Sequence, residues 1–155
     1  MARARKIEGL KPGLPYDQAA RRIVATRSAE LFEHSNGVLE MADIEPLHDM
    51  RVATRRLRAA LEVFAPCFPK QRHRRVLADV NELADALGQR RDRDVSIAFL
   101  EPFLEPLPAA ERRRLQKLLS DLRAEQKKAN SALALEIAED RLPRLRRALS
   151  RMVKA

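Results

Sequence analysis

Apolar residues recur along most of this chain at intervals of three and four, the spacing that gathers them on one side of an α-helix. Prolines and glycines mark where the pattern stops. Residues 1–15 hold Gly9, Pro12, Gly13 and Pro15 among basic residues and read as a flexible basic arm. Asp17 is positioned to cap a first helix that runs to about Asn36-Gly37, a common helix stop. A second helix begins near Glu45-Pro46, with proline in its first turn, and ends before Pro66. A third is predicted from about Pro69 to Gly88. A shorter fourth starts at Asp92 or Asp94, either of which suits an N-cap, and ends between Pro102 and Pro108. Leu115, Leu118, Leu119, Leu122, Ala129, Leu133 and Ile137 trace one face of a long helix from Ala109 to Asp140. An arginine-rich helix from Asp140 to Val153 closes the pattern, with Pro143 as a possible kink. The expected fold is all-α, an antiparallel helical bundle of about five to six helices over residues 16–155.

Composition narrows the function more than the fold. The chain has 155 residues, enough for one domain with a real core, and only four glycines. Its formal net charge of +9 calls for an acidic partner: nucleic acid, an anionic surface or another polyanion. Aromatics make up 4% with no tryptophan, which argues against single-stranded nucleic acid, whose binders stack bases on aromatic rings. Cys67 is the single cysteine, so an intramolecular disulfide is impossible, and its Phe-Ala-Pro-Cys-Phe-Pro setting reads as a buried helix end. The basic N-terminus lacks the apolar run of a signal peptide, and no stretch approaches the roughly 18 apolar residues of a membrane span. A cytoplasmic protein with no membrane partner is expected.

The second helix carries the candidate chemistry. Met50, Ala53, Leu57, Ala60, Leu61 and Phe64 fall on one side, while His48, Arg51, Arg55 and Arg58 stack turn upon turn on the other. Arg56 stands on the flank beside Val52 and Val63. Only Asp49 and Glu62 are nearby acids within this helix, so local pairing leaves the row charged. Arginine suits phosphate because its planar fork donates two parallel hydrogen bonds and keeps its charge. His48 lies in the first turn, where free backbone N–H groups also favour an anion. The same row also reads as a solvated basic face. Arg27 shares a face with Ala20, Ile23 and Leu31, so it must meet an acid, enter a ligand cavity or snorkel at the edge of the core. In Leu87-Gly88-Gln89-Arg90-Arg91-Asp92-Arg93-Asp94-Val95, the acids are candidate caps and partners for neighbouring arginines.

Two of these segments together resemble the CHAD family, the conserved-histidine α-helical domain. The resemblance lies in His48-Asp-Met-Arg51-Val-Ala-Thr-Arg55-Arg56-Leu-Arg58, followed about thirty residues later by Leu87-Gly88-x-x-Arg91-Asp92-x-Asp94-Val95, and it spans roughly residues 16–153. It implies a helical fold with a basic surface that binds inorganic polyphosphate. The family's histidine and arginines carry over to His48, Arg51, Arg55, Arg56, Arg58 and Arg91, with Arg27 and Lys127 as contributors from neighbouring helices. The family usually contains two such halves related by approximate symmetry, whereas this chain carries one copy. His34 and His73 lack the downstream arginine pattern.

Polyphosphate binding is therefore the leading expectation, with nucleic acid as a competing polyanion. An enzyme class, phosphohydrolase, would recruit metal through carboxylates such as Asp79, Glu82 and Asp85, but no nucleophile–base pair or zinc pattern accompanies them. A structural adaptor is the third class. No cofactor, metal or catalytic residue is expected. A two-fold homodimer is expected, because it would rebuild the missing half.

Overall fold

The computed structural model describes residues 3–155, so the first two residues of the predicted arm lie outside the described part. Residues 3–15 carry no helix. Arg5 ties them down, its backbone N–H bonding Glu30 and its side chain Glu33. Five α-helices follow: α1 (Tyr16–Glu33), α2 (Glu45–Val63), α3 (Lys70–Leu100), α4 (Ala109–Glu136) and α5 (Arg141–Lys154). Short 3-10 turns, Ala65–Cys67 and Glu101–Phe103, lead into and out of α3.

Proline sets several of these boundaries. Pro15, Pro69 and Pro108 occupy the N-cap positions of α1, α3 and α4, and Pro46 stands in the first turn of α2. Asp17 is therefore not the cap of α1; it lies inside the first turn, where its charge still suits the helix dipole. Pro143 falls in the first turn of α5, where no intrahelical N–H bond is lost. Gly37 takes φ 73°, which only glycine adopts freely, and turns the chain between α1 and α2.

The third and fourth predicted helices are one. Gly88 does not end a helix, and neither Asp92 nor Asp94 caps one, because α3 runs unbroken for 31 residues, about 46 Å. The reason is its buried stripe: His73, Val76, Val80, Leu83, Leu87, Arg90, Asp94 and Ile97 alternate in steps of three and four. Packing along that stripe outweighs the roughly 1 kcal/mol that a mid-helix glycine costs relative to alanine.

The helix α3 is the spine of the bundle, packing against α2, α4 and α5, while α1 packs on α2 and α5. Core residues come from every helix, among them Val24 and Leu31, Met50 and Leu57, Val80 and Leu87, Leu133, and Leu149 and Met152. Leu118, placed on the apolar face of α4 by its spacing, instead stands 47% exposed, while its neighbour Leu119 is fully buried.

Candidate functional site

The charged row of α2 forms one wall of a groove. Arg51, Arg55 and Arg58 face Ala84, Asp85, Gly88, Gln89 and Asp92 of α3 across a cavity of about 370 Å³. Burial of Met50, Ala53, Leu57 and Leu61 rotates the opposite side of α2 outward, which is why these three guanidiniums share the groove. Asp85, Gly88 and Asp92 follow at intervals of three and four, so they line one side of α3 in turn. Gly88 forms part of the floor, and a Cβ added there would meet nothing within 4 Å.

The electrostatics favour an anion along the α2 wall. Among the described residues, the one ion pair that involves a groove arginine is Arg58–Glu62 at 3.9 Å, between exposed side chains, and such a pair holds little charge back. Arg51 and Arg55 have no carboxylate within 4.0 Å among the described residues. Asp85 and Asp92 reduce the positive potential of the groove without pairing with its arginines.

His48 lies one turn before Arg51. It is half-buried, and its Nδ1 is shielded from solvent without a hydrogen-bond partner. Arg91, beside Asp92 on α3, likewise buries an unbonded Nη1. Neither lines the cavity, nor does the half-buried Arg56. His73, by contrast, is a structural histidine. It is buried with Nε2 2.8 Å from the Leu61 carbonyl and stacks on Phe68, holding the α2–α3 hairpin.

The two contributors expected from other helices stand apart from the groove. Arg27 meets an acid, Glu30, at 2.7 Å, and this neutralises it at the edge of the core. Lys127 is exposed on α4, which packs against the other side of α3. Asp94 has a role that a cap would not. It is buried, accepts hydrogen bonds from Arg90 Nε at 2.9 Å and Gln126 at 2.6 Å, and so joins α3 to α4. Arg90, fully buried, also donates to Asn130 and to the Glu40 carbonyl at 3.2 Å, anchoring the loop that precedes α2. Sequence reasoning missed Arg90. The signal for it was its place in the stripe, three residues after Leu87 and four before Asp94.

The carboxylates considered for metal do not converge. Asp79 lines a separate small cavity, Glu82 is bonded by Arg141 at 2.6 Å, and Asp85 lines the groove. Among the described residues, no group of three or more His, Cys, Asp or Glu side chains is arranged to hold a metal ion. Cys67 is half-buried in its 3-10 turn. Among the described residues, no helix is long and apolar enough to cross a membrane.

Comparison with known families decides the relationship. A family profile described as the CHAD domain matches residues 22–155, nearly the whole helical part. The chain belongs to the CHAD family. That match takes in both segments that carried the resemblance and begins within α1. CHAD domains are associated generally with polyphosphate binding. No curated protein matches the chain.

Proposed function

We propose that the α2–α3 groove of this CHAD protein binds inorganic polyphosphate. One observation carries the reading: Arg51 and Arg55, one turn apart on the wall of an open groove, have no acidic partner among the described residues. Each guanidinium can give a phosphate two parallel, charge-assisted hydrogen bonds. His48 and Arg91 add buried, unbonded nitrogens near the ends of the same two helical walls. The activity is binding without turnover, and a cytoplasmic setting at polyphosphate granules goes with that ligand.

Titration calorimetry with a short linear polyphosphate tests this. Replacing Arg51 and Arg55 together by Ala removes interactions of about 1.5–3 kcal/mol each. Affinity for the groove should fall by at least ~100-fold, since 1.4 kcal/mol is a factor of ten. Unchanged groove affinity in a folded double variant overturns the site. Displacement of polyphosphate by nucleic acid at equal phosphate concentration would favour the nucleic-acid reading. Phosphate release on incubation with magnesium would overturn binding without turnover.

The reading includes a two-fold homodimer. Val95 and Phe99 continue the Gly88–Asp92 row along α3 and are 48% and 66% exposed. Phe99 leans on Phe103 at 5.5 Å, giving an apolar face next to the groove. Pairing two copies across it would bring two grooves together and concentrate their arginines, so association should tighten with polyphosphate. Sedimentation with and without a short chain tests this. A strict monomer in both conditions that still binds tightly would show that one copy suffices.

A further inference from the structure

A second basic surface lies on the outer face of α1, away from the groove. Two cavities, about 720 and 280 Å³, share Ala25 and Ala29 and so form one trough. Arg5, Lys6, Glu8 and Arg22 line it on the side of the N-terminal arm. Arg146, Ser150 and Lys154 line it on the side of α5. It shares no residue with the α2–α3 groove.

The trough is more positive than the groove. Arg5 is paired with Glu33, but Lys6, Arg22, Arg146 and Lys154 have no carboxylate within 4.0 Å among the described residues. Four unpaired cations thus stand against one acid, Glu8, whereas the groove sets three arginines against two aspartates. The arrangement is held in place. Gly9 passes so close to Arg22 that a Cβ there would collide with the guanidinium, and Arg146 sits 4.8 Å over the Phe32 ring. Between the walls, Ala25 and Ala29 leave α1 low enough for a ligand to approach.

The lining also selects among anions. On the α5 side the trough is also lined by Phe32, Leu149 and Val153, but the first two are buried and the third half-buried, and none of the large hydrophobic side chains that the fold exposes lines it, so an acidic amphipathic helix would find little to bury. Its one aromatic ring, Phe32, is buried, so bases have no platform to stack on. What remains is charge, two guanidinium forks and a smooth floor, which suit a linear chain of phosphates.

We propose that this trough is a second binding site for polyphosphate, independent of the groove, so that one molecule holds two strands. Two sites on opposite parts of one domain would let long chains cross-link the protein.

The test is calorimetric stoichiometry with a short linear polyphosphate on four full-length proteins, with circular dichroism to confirm folding. The parent should bind two equivalents per chain. The Arg51→Ala/Arg55→Ala variant should bind one, and so should Lys6→Glu/Arg22→Glu/Lys154→Glu, which alters exposed, unpaired side chains. Adding the trough changes to the groove variant should weaken its remaining binding at least ~10-fold at moderate salt. If the groove variant loses all binding while the trough variant matches the parent, the second site is overturned and the groove stands. The reverse pattern overturns the groove and leaves the trough. A trough variant that keeps both polyphosphate equivalents but loses binding of a DNA oligonucleotide overturns the assigned ligand.

Discussion

Asp85 and Asp92 look out of place in a groove for polyanions, and removing their charge gives a sharp test of its electrostatics. Asn is nearly isosteric, so Asp85→Asn/Asp92→Asn changes charge and leaves the shape. A cavity of about 370 Å³ is about 9 Å across if spherical, which sets a carboxylate about 7 Å from a phosphate in its middle. At that separation, like charges repel by about 0.6 kcal/mol in a water-like dielectric, the right limit because both aspartates are exposed. A screening length of about 8 Å at physiological salt removes more than half of that. The double variant should therefore bind polyphosphate about 0.5–1 kcal/mol more tightly, roughly 2–5-fold, depending on salt. Calorimetry in metal-free buffer at two ionic strengths measures it, and the gain should grow as salt is lowered. Equal or weaker affinity at both salts would refute the reasoning. It would mean that the carboxylates organise the arginines instead of opposing the ligand.

Three further expectations follow from the same geometry. Gly88→Ala should stabilise the fold by about 0.5–1 kcal/mol, since alanine is the better helix former and its methyl meets open space. Gly88→Leu should instead fill the groove floor and weaken polyphosphate binding, and a folded leucine variant with parental affinity would put the ligand elsewhere. Asp94→Ala leaves the buried Arg90 charge unpaired and should cost about 3–5 kcal/mol in urea denaturation, so a loss below ~1 kcal/mol would contradict the network.

How much of this was legible in the chain depends on whether an element is local. The starts of α1, α2, α3 and α4 fall within a residue or two of their punctuation, since proline constrains the backbone whatever packs nearby. The division of α3 at Gly88 failed because the segment after it is polar from Gln89 to Asp94. The period of three and four persists there, but through Arg90 and Asp94, which occupy core positions as a paired unit. Reading polar residues as exposed hides such a stripe. Testing whether an acid and a base four residues apart both fall on it would reveal it. The site divides the same way. Arg51, Arg55 and Arg58 belong to one helix, so their periodicity was enough, whereas Asp85 and Gly88 became their neighbours only through the register of α2 against α3.

The fate of the arginines accounts for where the proposed sites lie. The chain has 31 lysines and arginines for 22 acids, so not every cation can be paired. Acids go first where burial makes an unpaired charge most costly: Asp94 to Arg90 at 0% exposure, and Glu30 to the half-buried Arg27. Others bind helices together at the surface, Glu125 with Arg93, Glu101 with Arg123, and Glu82 and Glu136 with Arg141. Part of the excess is left on α2 facing α3 and along the outer face of α1. Those unpaired cations are where a polyanion gains most, because a ligand there competes with water and not with a carboxylate. The same residue type thus holds the fold where it is paired and, under the proposed function, would recruit phosphate where it is not.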